Sequence, residues 1–464
     1  MNDMSNCATP SAAGPNRRTF LGATGTAFAA LIASGCTTRS AGRNVLATAA
    51  SKAPFGGYGD LVPDPAGMLD LPQGFSYRVL SRLGDAMDDG GTVPDRADGM
   101  GCIDLGGGRI ALVRNHELGP QHDLGGDYSE GFGRDAQGRV LPGGTTTMVL
   151  NASTLEIEQQ YRSMAGTIRN CAGGVTPWGS WLTCEESIWT RERELADAHG
   201  WVFEIPADAG KQVNPAPLKA MGRFNHEAAA VDPRTGIVYL TEDMEDSMLY
   251  RFIPVVPGQL AEGGRLQVLA LTDGITDARN WPENGAATRM AVGQNHPVRW
   301  IDMDDVEAPE NDLRLRGAAA GGLKIARGEG IHMGDGELYF CSTNGGAAKF
   351  GQIFRLIPHA GGGVNDTPDA LSLFFESTSG DQFNYGDNLT VQDNGHLIVC
   401  EDQYTDTVTN HLRGVTPEGN AYPLALLRLQ TEPAGACFSP DGRTLFVNAY
   451  SPAATIAITG PWYA

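Results

Sequence analysis

A short strand pattern recurs six times along the chain. Each copy begins with a glycine-containing turn, continues as an apolar run and ends in small, acidic or amide residues. The copies are residues 108–117, 178–186, 236–243, 336–343, 395–402 and 442–450. Repeated units of several short strands are typical of β-propellers. The repeat predicts an all-β fold, a six-bladed β-propeller with loop insertions. A β-sandwich built from regular hairpins is the alternative fold.

Composition agrees with a fold rich in turns. The chain of 464 residues includes 61 glycines, and only 19% of its residues are charged. No long amphipathic helix stands out in the sequence. The irregular spacing of the repeat predicts insertions at 118–144 and 254–300. The formal net charge of -21 argues against binding nucleic acid, because a phosphate backbone requires a basic surface. An acidic surface suits cations better.

The N-terminus predicts export. Arg17 and Arg18 precede the apolar, small-residue run from 22 to 34, which is a twin-arginine signal pattern. Small residues before Cys36 also resemble a lipoprotein cleavage site, which would leave that cysteine lipidated. We therefore expect a signal segment at 1–36, a flexible tether at 37–57 and a catalytic propeller at 58–464. The expected partner is the twin-arginine export machinery. The expected location is the periplasm or the exterior, with membrane contact only through a lipid at Cys36, and the expected state is a monomer.

Six cysteines follow the leader, and one of them lies in an unusual setting. Cys184, Cys341 and Cys400 each lie in an apolar, strand-like run, where a free thiol acts as a small hydrophobic group. Cys171 instead precedes a Gly-Gly pair, in a segment that ends with two glutamates. Disulfides are permitted in an oxidising compartment, but their pairing cannot be deduced from sequence.

Carboxylates and amides end several copies of the repeat. If equivalent strands converge on one axis, these ends meet there, and clustered negative charges require cations. Calcium takes about six to eight oxygen ligands, so carboxylates around an axis suit it. The alternative is a set of ordinary solvated turns. The acidic or amide strand ends are Asn115-His116-Glu117, Glu185-Glu186, Glu242-Asp243 and Glu401-Asp402.

Four further segments add polar candidates. The triplet Asn-His-Glu occurs at 115–117 and again at 225–227. Each histidine could be a ligand, or an orienting partner for the adjacent glutamate, which is the role we favour. Arg327 and Glu329 lie in a Gly-rich extended segment, which suggests a phosphate clamp beside a metal carboxylate, or else an ordinary surface ion pair. Segments 385–389 and 431–435 are further loop candidates.

Several familiar catalytic motifs do not occur in the sequence. There is no Gly-x-x-x-x-Gly-Lys-Ser/Thr loop, no Gly-x-Ser-x-Gly elbow, no His-Glu-x-x-His and no Cys-x-x-Cys. Without a recognisable protein nucleophile, bound metals are the best candidate for the source of chemistry.

At these motifs the chain resembles the PhoX-type alkaline phosphatases. The resemblance spans about residues 58–460 and depends on 114–117, 170–186, 222–228 and 326–330, of which 170–186 is the most specific. It implies a six-bladed propeller with an iron–calcium cluster, Fe³⁺ and Ca²⁺, on its axis. It also implies hydrolysis of small-molecule phosphate esters outside the cytoplasm.

The resemblance also implies roles for individual residues. Cys171 would be a thiolate ligand to iron, Glu227 and Glu329 would be carboxylate ligands within the cluster, and Arg327 would hold the substrate phosphate. The contacts to calcium and phosphate would be completed by Asn115 and the acidic strand ends, Glu117, Glu185, Glu186, Glu401 and Asp402.

The sequence therefore predicts an exported, metal-dependent phosphoric-ester hydrolase acting on monoesters, with diesters as a further candidate. Two alternatives remain open at this point. One is a calcium-dependent propeller lactonase or phosphotriesterase, which would need no thiol. The other is a non-catalytic periplasmic propeller that binds an ion or a partner.

Overall fold

Antiparallel meanders of short strands make up most of the protein. The computed structural model describes residues 56–189, 195–284, 290–359 and 367–462. The predicted signal segment, Cys36 and all but the last two residues of the predicted tether lie outside the described residues. Within the described part, no helix is long and apolar enough to cross a membrane.

The strands have the following bounds. Before the first meander come β1 (Leu61–Val62), β2 (Leu69–Pro72) and β3 (Ser76–Arg82). The first meander is β4 (Ala97–Gly106), β5 (Arg109–His116), β6 (Gly143–Asn151) and β7 (Ile157–Thr167). The second is β8 (Asn170–Val175), β9 (Ser180–Glu185) and β10 (Val202–Pro206). The third is β11 (His226–Val231), β12 (Val238–Glu242), β13 (Tyr250–Pro254), β14 (Gly264–Leu271) and β15 (Asn295–Asp302).

The remaining elements complete the chain. The fourth meander is β16 (Gly328–Met333), β17 (Leu338–Ser342), β18 (Gln352–Ile357) and β19 (Ala370–Glu376). The fifth is β20 (Gly386–Val391), β21 (Leu397–Glu401), β22 (His411–Val415) and β23 (Ala421–Leu427). The sixth is β24 (Pro433–Phe438), β25 (Thr444–Ala449) and β26 (Ala454–Thr459). The described helices are short: α1 (Leu313–Ala319) and 3-10 turns at Lys219–Met221, Leu260–Glu262 and Pro282–Asn284.

The first strands of the meanders form a closed ring. β4, β8, β11, β16, β20 and β24 contact one another in that order, and β24 contacts β4. The sixth meander is completed by β3, which pairs antiparallel with β26 and so joins the two ends of the described chain. The pairing of β15 with β19 links the third and fourth meanders into one sheet. The predicted all-β propeller arrangement is confirmed, and the blade count of six stays a prediction that this ring supports.

The structure differs from the sequence prediction in where the repeat lies. Its six copies form β5, β9, β12, β17, β21 and β25, which are the second strands of the meanders rather than the strands that line the axis. The expectation that these strands themselves converge is therefore wrong. The physical reason is that these strands are covered on both faces and carry the strongest apolar runs, whereas the axial strands are rich in small residues.

Each axial strand carries a one-residue bulge near its beginning. In the third meander, for example, His226 pairs with Glu242, but the next pair is Ala229 with Leu240, so the axial strand has one extra residue. The same shift occurs in the other five meanders. A bulge re-aims a side chain. The first residues inside the bulges are Asp98, Cys171, Glu227, Glu329, Asp387 and Gly435.

The buried cysteines agree with their predicted packing role. Cys184, Cys341 and Cys400 are fully buried and have free thiols. They pack within three separate apolar clusters between the sheets.

Candidate metal centre and active site

A thiol and several carboxylates meet at one end of the axial ring. They form three overlapping groups, and the ligand atoms within each group lie within 4.8 Å of one another. The groups are Cys171, Glu186 and Glu227; Glu227, Glu329 and Asp387; and Asp387, Asp402 and Glu432. Because Glu227 and Asp387 each belong to two groups, the three form a continuous chain of ligands.

One backbone hydrogen bond, repeated in every meander, positions the second set of side chains. The residue just after each second strand donates its N–H to the carbonyl of a residue just before the axial strand. The pairs are Glu117 to Arg96, Glu186 to Arg169, Asp243 to Asn225, Thr343 to Arg327, Asp402 to Tyr385 and Tyr450 to Glu432. This bond brings both sets of side chains to the same end of the axis.

Strained backbone is concentrated at this end. Arg96, Arg169, Arg327 and Tyr385, each directly before an axial strand, have φ angles of 55°, 48°, 46° and 56°. They are four of the ten non-glycine residues with positive φ in the described part of the chain. Such conformations cost about 1–3 kcal/mol each and cluster at functional sites.

Burial and mutual repulsion raise the pKa values of these carboxyl groups. The pKa of Glu227 lies well above its usual range because of burial, with Glu329 and Asp387 adding repulsion. The pKa of Glu329 is raised in the same way, by burial and then by Asp243 and Asp387. That of Asp387 rises to about 8, through burial and then Asp402. So many acidic groups in one buried place require cations to become ionised together.

The donor set fits iron and calcium. The Sγ atom of Cys171 lies 3.2 Å from Oε1 of Glu227 and 3.5 Å from Oδ2 of Asp98. Oδ1 of Asp98 is buried and has no hydrogen-bond partner among the described residues. A thiolate suits a transition metal, and carboxylate oxygens suit calcium. This buried oxygen of Asp98, beside the thiol, is available to bind a cation.

Two arginines at the edge of the groups supply positive charge. Arg169 donates from Nη2 to Oε1 of Glu117 at 2.7 Å and also bonds Glu186. Arg327 donates from Nε and Nη2 to the two oxygens of Asp243, at 2.7 and 2.9 Å, and from Nη2 to Oε1 of Glu329 at 3.0 Å. Among the described residues, no hydrogen bond is formed by Nη1 of Arg327. A guanidinium beside metal carboxylates can hold an anionic substrate.

Comparison with known families identifies the family of this chain. A family model described as alkaline phosphatase PhoX matches residues 56–453. The chain belongs to the PhoX family of alkaline phosphatases. A solved structure of Pseudomonas fluorescens PhoX, in complex with the transition-state analogue vanadate, shares 20% sequence identity with a TM-score of 0.67. The match covers 86% of this chain and 97% of that chain.

Other comparisons add little. A gluconolactonase from Xanthomonas campestris is 14% identical, with a TM-score of 0.38, over 80% of this chain and 97% of that one. No match was found among curated proteins. Family membership favours a phosphatase over the lactonase and the non-catalytic propeller.

The structure brings most of the predicted site residues together. Cys171, Glu186, Glu227, Glu329 and Asp402 all lie in the three groups. Arg327 contacts them through Glu329. Glu117 lies beside them, where its carboxylate accepts hydrogen bonds from Arg169 and Tyr450.

The side chain of Asn115 is buried and hydrogen-bonded within the protein, so it is not open to a substrate. Its Nδ2 donates to the carbonyls of Cys171 and Ala172 at 3.0 and 2.7 Å. Its Oδ1 accepts from Trp181 and Thr183, both at 2.9 Å. With both ends of the amide occupied and no exposed surface, Asn115 holds the backbone of the thiol ligand instead of reaching a substrate.

Glu185 and Glu401 are not brought into the groups. The carboxylate of Glu185 accepts from the backbone N–H groups of Ile168, Gly200 and Trp201 and contacts Nδ1 of His199 at 2.6 Å. Glu401 is likewise occupied by donors from three residues, Asn384, His411 and Arg413. As the last residue of its strand, each is on the opposite side from the acidic residue that follows it.

Sequence reasoning missed Asp98 altogether, which lies inside the first axial bulge. It placed Asp243 in an acidic strand end, and Asp387 and Glu432 in the candidate loops 385–389 and 431–435, without assigning any of the three a role at the site. Asp98, Cys171, Glu227, Glu329 and Asp387 share one position in the meanders. They precede the repeat copies by unequal distances of 7 to 10 residues, so spacing in the sequence alone does not align them.

The adjacent glutamates of the second meander provide a matched test. We expect Glu185→Gln to destabilise the fold by about 1–3 kcal/mol, because it disrupts a saturated buried carboxylate, while the folded protein keeps its metal. We expect Glu186→Gln to lower metal content and to reduce kcat/KM by about tenfold or more, since it removes a charge from the first group. Thermal unfolding and elemental analysis of both variants would check this. Equal metal loss in the two variants would contradict it.

Proposed function

We propose that this protein is an exported phosphatase that hydrolyses small-molecule phosphoric esters with an iron–calcium cluster at the axial end of the propeller. The observation that carries the proposal is the continuous chain of three ligand groups, with a thiol at one end and Arg327 beside the middle group. Family membership supports the reaction class.

The residues divide between soft and hard ligands. Cys171, with Glu186 and Glu227 beside it, would hold iron, whereas the groups around Glu329 and Asp387 offer only oxygens and would hold calcium. When bound, these ions would neutralise phosphate oxygens and supply Lewis-acid activation.

The protein's own side chains would bind and orient the ester. Arg327 is held in position by both oxygens of Asp243, so its guanidinium is pre-oriented before substrate arrives. Burial alone would lower the pKa of Arg169, but the neighbouring anions Glu186 and Glu117 outweigh it and raise the pKa, so the guanidinium stays charged beside them. Fixed positive charge aimed at the phosphate lowers the barrier without reorganisation in the transition state.

Export by the twin-arginine route and a periplasmic or extracellular location belong to the same proposal. They are supported by the sequence pattern at Arg17-Arg18. A lipid anchor at Cys36 and a monomeric state are further parts of it.

The direct test is a phosphatase assay of the exported, metal-loaded protein. We expect hydrolysis of a phosphomonoester, stoichiometric iron and calcium, and loss of activity after chelation that is reversed by adding the ions back. Full activity in a metal-free sample would overturn the proposal. Calcium without iron would favour the calcium-only lactonase or phosphotriesterase instead.

A further inference from the structure

An exposed aromatic ring lies at the edge of the metal centre. Tyr404 is 63% exposed and follows Asp402, a member of the third ligand group, by two residues. Its hydroxyl accepts a hydrogen bond from Nη2 of Arg327 at 3.1 Å. The same Nη2 lies 3.0 Å from Glu329. Arg327 therefore links the side chain of Tyr404 directly to Glu329, a member of the ligand groups.

The ring is held in a defined orientation. The guanidinium of Arg327 lies over the ring, 5.2 Å from its centroid. Tyr385 meets it at a centroid distance of 5.7 Å and an interplanar angle of 70°. These contacts fix the ring while much of its surface remains open to solvent, so the exposed area can receive a ligand.

The loop that carries the ring is also tied down. Gln403 donates its backbone N–H to Asn410 at 3.0 Å and its side-chain amide to the carbonyl of Thr409 at 2.9 Å. The side-chain oxygen of Gln403 accepts the N–H of Thr409 at 3.4 Å. A ring on an anchored loop costs little entropy to order when a ligand binds.

The position of Arg327 determines which part of a substrate meets the ring. A phosphoryl group held between Arg327 and the ligand groups leaves its organic group directed outward, past Tyr404. Planar aromatic groups pack favourably against an exposed, pre-oriented ring. A small polyol has no such face to offer.

We propose that Tyr404 forms a leaving-group subsite that favours aryl phosphate esters over alkyl ones. This inference rests on the proposed function, because it assumes that the phosphoryl group lies beside Arg327. It makes Tyr404 a specificity-determining residue whose ring contacts the leaving group.

The test compares Tyr404→Ala and Tyr404→Phe in the full, metal-loaded chain. The measurement is kcat/KM for phenyl phosphate divided by kcat/KM for glycerol phosphate. We expect the alanine variant to lower this ratio about three- to tenfold relative to the unmodified protein, the range that one aromatic contact produces. The phenylalanine variant keeps the ring and should keep the ratio, even if loss of the hydroxyl contact with Arg327 weakens both substrates equally.

Two results would overturn the subsite. One is an unchanged ratio in the alanine variant, which includes an equal loss on both substrates. The other is the same fall in ratio in the phenylalanine variant. If the unmodified protein hydrolyses neither ester, the proposed function fails separately. The subsite is then decided by binding of phenylphosphonate and methylphosphonate, because Tyr404→Ala should still weaken only the first.

Discussion

We expect replacement of Cys171 with alanine to remove the proposed iron and to lower kcat/KM for a phosphate ester by at least about a hundredfold, because the variant loses the one soft ligand of the first group. The thiol of Cys171 lies 3.2 Å from Glu227 and within the same group as Glu186. Burial and the surrounding carboxylates raise its pKa in the metal-free protein, so it becomes a thiolate only when a cation is present. In the proposed function, iron would be the cation that turns this thiol into a thiolate ligand.

A second cysteine in the same meander supplies the control. Cys184 is fully buried, 13 residues along the chain, and packs in an apolar cluster. We expect Cys184→Ala to cost about 1 kcal/mol of stability and to keep both iron and activity. Elemental analysis and steady-state kinetics on the two purified variants would separate ligation from packing. A Cys171→Ala protein that retains iron and turnover would remove the role assigned to this thiol.

The metal-free protein should lose stability as the pH rises from 6.5 to 8. A carboxyl group whose pKa is raised in the folded state binds more protons there than in the unfolded chain, so its stabilising contribution declines as the pH approaches the folded pKa. The pKa of Asp387 is raised to about 8 by burial and Asp402, and those of Glu227 and Glu329 lie well above their usual range. A carboxyl group that stays protonated in the folded state throughout this interval loses about 2 kcal/mol of its stabilising contribution.

Calorimetry with and without calcium would measure this effect. We expect Tm of the metal-free protein to fall by at least about 3 °C between pH 6.5 and 8, and calcium to raise Tm more at pH 8 than at pH 6.5. The interval begins at pH 6.5 because two buried histidines make stability rise with pH, but only below that value. Burial lowers the pKa of His226 to about 3 and that of His332 to about 4. A metal-free protein that is more stable at pH 8 would contradict the prediction.

Two carboxylates distinguish metal ligands from other buried acids in this experiment. Glu242 also has a pKa of about 8, raised by burial, but it bonds Tyr250 at 3.0 Å and lies outside the three groups. Asp387→Asn should reduce the response to calcium. Glu242→Gln should leave the response to calcium unchanged. It should reduce only the part of the pH dependence of stability that remains when calcium is bound.

The amino-acid sequence was sufficient for the fold class and for the unusual thiol. Gly-turn and apolar-strand repeats are local signals, and they determine the second strand of each meander almost to the residue, as in Val238–Glu242 and Leu397–Glu401. Cys171 could be separated from Cys184 because one lies among glycines and the other in an apolar strand. The choice of iron and calcium depended on family resemblance rather than on residue spacing.

The sequence alone could not distinguish the two acidic residues at each strand end. In the pairs Glu185-Glu186 and Glu401-Asp402, the sequence alone makes both members equally plausible metal ligands. Strand alternation directs them to opposite sides, and only the backbone bond from Glu186 to Arg169 and from Asp402 to Tyr385 shows which one faces the axis.

Local sequence patterns therefore predicted the strands, an export signal and the unusual setting of the Cys171 thiol, while tertiary structure decided the site. Asp98 and Asp387 are separated by nearly the whole propeller in sequence, yet each occupies the same bulge of an axial strand. A bulge depends on pairing with the neighbouring strand, and closure of the ring depends on β3 reaching β26 from the other end of the described chain. Both are long-range contacts that no short motif encodes, which is why the ligand set emerged only when the ring was complete.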